Sequence, residues 1–361
     1  MTMKDTLESI ASRFAVEGRV ATVNPLGQGF INRTYLVTLE GSGEPVYILQ
    51  AKNHLVFPDV PAMMDNIDRV TRHIKAKAAD PLRETLTIIP TLEGSLYYKD
   101  EEGNCWAMCL YIKGTVSPER ADTPELAYQG GLGLGTFHKL VSDFDEPLAE
   151  VIKGFHNMRF RFSQWDEALA ADRAGRVKDL AEEISWIESR RARMMDFQAR
   201  IEDGTLPRRV CHNDTKISNF LFDANDGSLV CAIDLDTVMS GSLMNDLGDA
   251  YRAYTNTGAE DERDLDKVSM SMDMFKAYTE GYMSVMKDAL TGSEKENIAF
   301  SALFITFEQV LRFLMDYIDG DRYYRISRAD HNLVRARAQY KLLTSMEEQF
   351  DAMKAFVRSL C

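Results

Sequence analysis

VCHNDTKISNFLFDANDGSLVCAIDLD, residues 210–236, decides the fold. Val210 and Cys211 are apolar and lead into His212-Asn213-Asp214. Asn219 follows five residues after Asp214, ahead of a short apolar run from Phe220 to Phe222. Asn225-Asp226-Gly227 is a tight-turn sequence, and beyond it the β-prone run Leu229 to Ile233 ends in Asp234-Leu235-Asp236. The pattern predicts a polar loop between strands, then a hairpin that brings a second acid-bearing loop beside the first.

Phosphoryl transfer from ATP needs a carboxylate to orient or deprotonate the attacking hydroxyl, and oxygen ligands for the magnesium that bridges the phosphates. In protein kinases the base Asp and the metal-binding Asn of the catalytic loop stand five residues apart, and an Asp on the next hairpin completes the metal site. Asp214, Asn219 and Asp234 reproduce that spacing. His-Asn-Asp by itself is the composition of a surface turn. Three ligand-type residues at kinase spacing on a strand-bounded hairpin point to catalysis instead.

H-N-D-x-x-x-x-N followed by I-D-x-D resembles the signature of the aminoglycoside phosphotransferase and choline kinase family. The resemblance implies an α+β, bilobal, protein-kinase-like fold with a small antiparallel-sheet N-lobe and a larger, mainly helical C-lobe. It implies ATP and Mg2+ as cofactors, Asp214 as the base, and Asn219 and Asp234 as metal ligands. Asp236 either binds a second magnesium or stabilises its loop, and His212 supports the loop by hydrogen bonding. Within the family, HNDTKISNFLFD, LGDAYR and HNLVRARAQYKLL are most similar to the N-acetylhexosamine 1-kinases, which phosphorylate the anomeric hydroxyl of N-acetylglucosamine or N-acetylgalactosamine. Choline, ethanolamine, homoserine, methylthioribose or an aminoglycoside are the competing acceptors, and a catalytically silent binding module is the competitor from another class.

The 361 residues suggest two lobes. With 45% hydrophobic and 27% charged residues the composition is that of a globular protein, and no apolar run approaches the ~20 residues needed to span a bilayer. The amino terminus is amphipathic and contains acids, unlike a secretory signal. Five cysteines lack paired metal spacing, and four sit in apolar surroundings, as expected of reduced thiols in a cytoplasmic protein. A net charge of −14 argues against a surface for duplex nucleic acid, and the partners expected are ATP and a small sugar, with no membrane.

Along the chain, Thr6 to Phe14 predicts a short helix, followed by strand, glycine-containing turn and strand across Val20 to Val37. Gly27 and Gly29 are the candidates to cover the triphosphate, because backbone N–H groups approach phosphate most closely where no Cβ intervenes. Gly29, Asn32 and Tyr35 match G-x-x-N-x-x-Y of small-molecule kinases, which makes Asn32 an expected substrate contact. A third strand, Val46 to Lys52, should carry the lysine for the α- and β-phosphates. The aligned slot holds Gln50 and the nearby lysine is Lys52; a period of two puts both on one strand face, and either is the expected phosphate contact. Asp65 or Asp68, on a helix predicted from Met63 to Lys77 after the break at Pro58 to Pro61, could pair with Lys52 or lie on a solvated face. Leu86 to Pro90 and a hairpin from Gly94 to Met108, turning at 100–104, complete the small sheet. Tyr111 and Ile112 resemble the adenine-binding hinge, with the lobes dividing there into 1–112 and 113–361.

Gly130 to Gly135 imitates a dinucleotide-binding run, but it lacks a preceding apolar strand and is read as a closely packed helix, with His138 as a packing residue. Gly154 to Trp165 is read as a loop rich in aromatics and arginine that either lines the acceptor pocket or merely packs, Val177 to Ile201 as one long helix, and Asp246 as a cap for a helix starting near Ala250. Helices follow at Leu265 to Met286, Glu294 to Ile318 and His331 to Val357, their methionines filling the core. Arg312 resembles the arginine in RFLxDY of the N-acetylhexosamine kinases, and with Tyr324 it is the expected sugar contact.

Overall fold

The computed structural model describes residues 6–27 and 32–361, so Gly29 lies outside the described residues. The chain forms two compact units. One comprises Met1–Val116, Asp143–Lys153 and Phe220–Met239; the other comprises Ser117–Ser142, Gly154–Asn219 and Ser240–Cys361. Both units are discontinuous in sequence, whereas the expectation placed a single boundary at residue 112.

In the first unit an antiparallel sheet orders Val20–Pro25, Arg33–Leu39, Pro45–Lys52, Cys105–Leu110 and Ile88–Ile89, with Tyr98–Lys99 also paired to Cys105–Leu110. Alternation sends Val37, Leu39, Tyr47, Leu49, Ala51, Trp106 and Met108 into one core, where the short N-terminal helix adds Ile10 and Ala11. The 100–104 turn is tied by Asp100, whose carboxylate accepts from Asn104 N, Asn104 Nδ2 and Trp106 Nε1.

Asp59 caps the Val60–Lys75 helix by accepting from Ala62 N. Pro61 therefore starts this helix, in the first turn where a missing N–H costs nothing. Asp65 and Asp68 pair with Arg69 and Arg72 one turn along, which is the solvated-face alternative. A smaller sheet joins Leu229–Ala232, Phe220–Asp223 and Thr115–Val116; in its turn Gly227 takes φ 71° and Asp223 accepts from Asn225 N.

The second unit is mainly helical. Its central Gly292–Ile318 helix begins with a reciprocal capping box between Thr291 and Glu294, and packs against the Leu243–Thr255, His331–Glu348 and Met158–Ala171 helices. By length and composition this helix is apolar enough to cross a membrane, contrary to expectation, but 94% of its most apolar stretch is buried inside the protein, as in a core helix.

Pro124–Leu140 packs on Met272–Met286 at backbone distance. A Cβ on Gly131 would lie 2.0 Å from Tyr278 O, and one on Gly281 would lie 2.1 Å from Tyr128 O. The glycine run is thus a helix-packing device, and His138 is buried in the same interface.

Four helical expectations change, the first being that the helix expected from Leu265 begins only at Met272, capped by Ser271, after a separate 3-10 turn at Leu265–Lys267. Met158–Ala171 is a helix capped by Asn157, so most of the expected aromatic loop is helical. Val177–Asp179 is a separate 3-10 turn before Ala181–Glu202, and the C-terminal helix divides at Gln349 into His331–Glu348 and Phe350–Leu360. All five cysteines are unpaired. Burial pushes Cys109 up to about 11 and Cys231 up to about 12, which keeps them as thiols.

Candidate active site

In the second unit the buried strand end at Val210 and Cys211 delivers the chain to His212-Asn213-Asp214. Asp246 fixes the loop from below. Its Oδ1 accepts from Asn213 N at 2.7 Å, and its Oδ2 accepts from His212 N at 2.7 Å and faces His138 Nε2 at 2.8 Å. Ser242 is the residue that caps the Leu243–Thr255 helix. Asp246 is therefore a buried clamp inside the helix, which corrects its expected role as a cap; the helix also begins seven residues before Ala250.

Thr215 continues the arrangement, donating from N to Asp249 Oδ2 and from Oγ1 to Asp246 O. Asp249 is paired with Arg252 at 2.8 Å. Burial would raise the Asp249 carboxyl, but Arg252, with His156 and the Thr215 N–H adding to it, holds the group below the usual carboxylate range. Asn219 Nδ2 donates to Asp214 O at 2.8 Å. The backbone on both sides of Asp214 is fixed, while its side chain stays 28% exposed beside Lys216 at 3.1 Å.

Glu308 lies fully buried in the central helix. Its Oε1 accepts from Arg161 Nε at 3.0 Å, and its Oε2 faces His156 Nδ1 at 2.8 Å. Burial opposes its charge, but His156, Arg161 and Arg312 hold the carboxyl down to about 2. The guanidinium of Arg312 lies 5.5–5.7 Å from the ring centres of Phe155, Tyr323 and Tyr324. Asp316 shapes the loop carrying those tyrosines by accepting from Arg322 N, Tyr323 N and Tyr324 N. Tyr324 Oη is buried and has no hydrogen-bond partner among the described residues.

In the first unit Lys52 Nζ lies 2.7 Å from Asp236 Oδ1 and 2.7 Å from Gln50 Oε1, and Gln50 Nε2 donates to Thr34 Oγ1. Asn32 Nδ2 donates to Asp236 Oδ2 at 2.7 Å, and its Oδ1 accepts from Asn53 N. The counter-ion of Lys52 is therefore Asp236, and neither Asp65 nor Asp68 fills that role. Gly27 turns at φ 61°, and, its chain neighbours aside, no atom of the other described residues lies within 4 Å of where a Cβ would stand. Tyr111 N donates to Val46 O, and Ile112 O accepts from Thr115 Oγ1. Asp234 adopts a left-handed φ of 56° ahead of the 3-10 turn Leu235–Thr237.

Asn32, Gln50, Lys52 and Asp236 thus form one bonded group in the first unit. In the second, Asp214 shares a loop with Asn219, and Arg312 shares a cluster with Tyr324. Sequence reasoning placed His156, Arg161 and Glu308 in stretches that could line the acceptor pocket but gave them no individual role, and it read Asp246 only as a cap. The signals were His156 and the two arginines, Arg159 and Arg161, close after Phe155, and the helical spacing of Glu308 to Arg312.

The fold is that of kinase-like phosphotransferases. A microcompartment-associated aminopropanol kinase superposes with a TM-score of 0.65 at 14% identity, covering 96% of this chain and 97% of its own. A spectinomycin phosphotransferase in complex with ADP and spectinomycin gives 0.55 at 13% identity over 92% and 94%. The choline kinase LicA from Streptococcus pneumoniae gives 0.52 at 15% identity over 90% and 94%. Residues 22–268, more than half of the chain, match the phosphotransferase enzyme family. The chain belongs to that family and is an enzyme that transfers phosphate to a hydroxyl acceptor.

Proposed function

We propose that the enzyme transfers the γ-phosphate of ATP to the anomeric hydroxyl of an N-acetylhexosamine, N-acetylglucosamine or N-acetylgalactosamine, giving the sugar 1-phosphate. The observation that carries this reading is the Arg312 cluster. A guanidinium among Phe155, Tyr323 and Tyr324 opposes a cationic acceptor such as choline, ethanolamine or an aminoglycoside by like-charge repulsion in a poorly solvated place. It suits a neutral polyol, whose hydroxyls accept from the guanidinium and whose C–H faces lie on rings. The unpartnered Tyr324 Oη supplies a further donor.

Asp214 orients the hydroxyl and accepts its proton; an anomeric hydroxyl is more acidic than an ordinary alcohol, which lowers the demand on the base. Asn219 and Asp234 are assigned to magnesium. The amide nitrogen of Asn219 is committed to Asp214 O, which leaves its oxygen for a metal, and an amide oxygen with a carboxylate is the hard donor set magnesium takes. Magnesium bound there supplies charge neutralisation on the phosphates. Both oxygens of Asp236 are already bonded, which favours its loop-stabilising role, as the anchor of Lys52, over a second metal. Lys52, with Gln50 beside it, is assigned to the α- and β-phosphates, Gly27 and Gly29 to the turn over them, and the backbone of Tyr111 and Ile112 to adenine. Asn32, with both ends of its amide engaged, positions Asp236 and Asn53 N.

An ATP-consumption screen over hexosamines, hexoses, amino alcohols and aminoglycosides tests the acceptor. N-acetylhexosamines are expected to turn over best, and Arg312→Ala is expected to raise their KM roughly 10- to 200-fold, the worth of a lost charged hydrogen bond of about 1.5–3 kcal/mol. An unchanged KM, or preference for a cationic acceptor, would contradict the assignment.

A further inference from the structure

His156 stands between the catalytic loop and the acceptor cluster. Arg161 Nη2 donates to Phe155 O at 2.6 Å and fixes the backbone just before it. The ring Nδ1 faces Glu308 Oε2 at 2.8 Å, and Nε2 faces the backbone oxygen of Asn213 at 3.3 Å. Both partners are oxygen acceptors. A neutral imidazole carries one N–H, so one of the two contacts would set a nitrogen lone pair against an oxygen; the imidazolium alone donates to both.

The charged groups around the ring come from three helices: Arg161 on Met158–Ala171, Asp249 on Leu243–Thr255, and Glu308 and Arg312 on Gly292–Ile318. Burial disfavours the cation and Arg312 opposes it, but Glu308 and then Asp249 outweigh both and hold His156 above its ordinary 6.5.

Asn213 sits at a left-handed φ of 66°. Its N–H is held by Asp246 and its carbonyl faces His156, so these two side chains grip opposite ends of the residue that precedes the proposed base. We propose that His156, as an imidazolium, is a positioning residue for phosphate transfer: it fixes the Asn213–Asp214 peptide, and so the aim of the Asp214 carboxylate, and ties that loop through Glu308 to the Arg312 cluster. This inference rests on the reading of Asp214 as base. Loss of the His156 proton releases one end of the grip, so kcat falls as pH rises while nucleotide binding is kept.

Steady-state kinetics of the full-length enzyme between about pH 6 and 9 test it, with the fold of each variant followed by thermal melting. Wild type is expected to lose kcat on the alkaline side. His156→Phe is expected to lower kcat roughly 10- to 100-fold at neutral pH, to leave KM for ATP within about twofold, and to lack the alkaline fall. His156→Gln, which keeps a donor but cannot titrate, is expected to recover part of kcat with the same flat profile. Glu308→Gln removes the charge that holds the proton and is expected to move the alkaline fall to lower pH. An unchanged kcat in His156→Phe, or an alkaline fall that persists unaltered in both His156 variants, would overturn the proposal. Should those variants melt early, the wild-type and Glu308→Gln profiles decide: an absent or unmoved alkaline fall overturns it. Asp214→Asn is run in parallel. Turnover that depends on Asp214 but ignores His156 defeats this inference alone, whereas turnover indifferent to Asp214→Asn defeats the reading beneath it.

Discussion

Lys52 and Asp236 form a buried ion pair, with side chains 4% and 5% exposed, and removing one partner leaves an uncompensated charge. Lys52→Met is expected to destabilise the fold by about 3–5 kcal/mol and to raise KM for ATP. Adding Asp236→Asn should restore much of the stability in thermal melting without restoring nucleotide affinity. Full recovery of both would mean that Lys52 has no work at the phosphates. Glu308 and His156 make an opposite pair of pH dependences. The folded value of Glu308, about 2, lies below its ordinary 4.5, so its stabilisation is present above about 4.5 and is lost as pH falls toward about 2. The folded value of His156 is raised, so its stabilisation is complete below 6.5 and is lost as pH rises through the raised value. Melting temperatures across pH should show His156→Phe losing the alkaline part of this dependence. At this scale Asp214, Asn219 and Asp234 could be proposed from sequence because their spacing along the chain is itself the signal. Asp246 and Glu308 were not, because each binds a loop residue remote in sequence, and a buried acid reads along the chain like any other acid on a helix.

Between helices, the glycine reading can be tested directly. Gly131→Ala would place a methyl 2.0 Å from the Tyr278 carbonyl, and backbone cannot swing aside as a side chain would. A loss of about 1–3 kcal/mol or more is expected in denaturant unfolding, and Gly281→Ala, on the facing helix, should behave alike. A neutral Gly131→Ala would show that the helices can separate cheaply. That this run packs a helix was legible from what flanks it, since Pro124-Glu125 is a helix start and no apolar strand precedes it. The Met158–Ala171 helix was not. Its buried residues, Met158, Arg161, Phe162, Trp165 and Ala168, share one face, but a charged Arg161 on that face and Phe160 off it blur the hydropathy period by which an amphipathic helix is recognised. The C-terminal break at Gln349 was hidden for a related reason: no glycine or proline marks it.

Across the whole molecule, the family match ends at residue 268, while Glu308, Arg312 and Tyr324 all lie beyond it. The transfer chemistry thus follows from the matched part, and of the proposed acceptor contacts Arg312 and Tyr324 lie outside it. For the same reason the fold class was readable from one hairpin, whereas the proposed acceptor site is a cluster of Phe155, Arg312 and two tyrosines brought together only by folding. The most direct measurement is phosphorus NMR of the products formed from ATP, magnesium and an N-acetylhexosamine, with wild type and Asp214→Asn side by side. A sugar 1-phosphate formed by wild type, and slowed roughly 100- to 10,000-fold or more by Asp214→Asn, is the expected result. Phosphate on another hydroxyl, or a 1-phosphate formed equally well without the Asp214 carboxylate, would contradict the assignment of this enzyme as an anomeric sugar kinase.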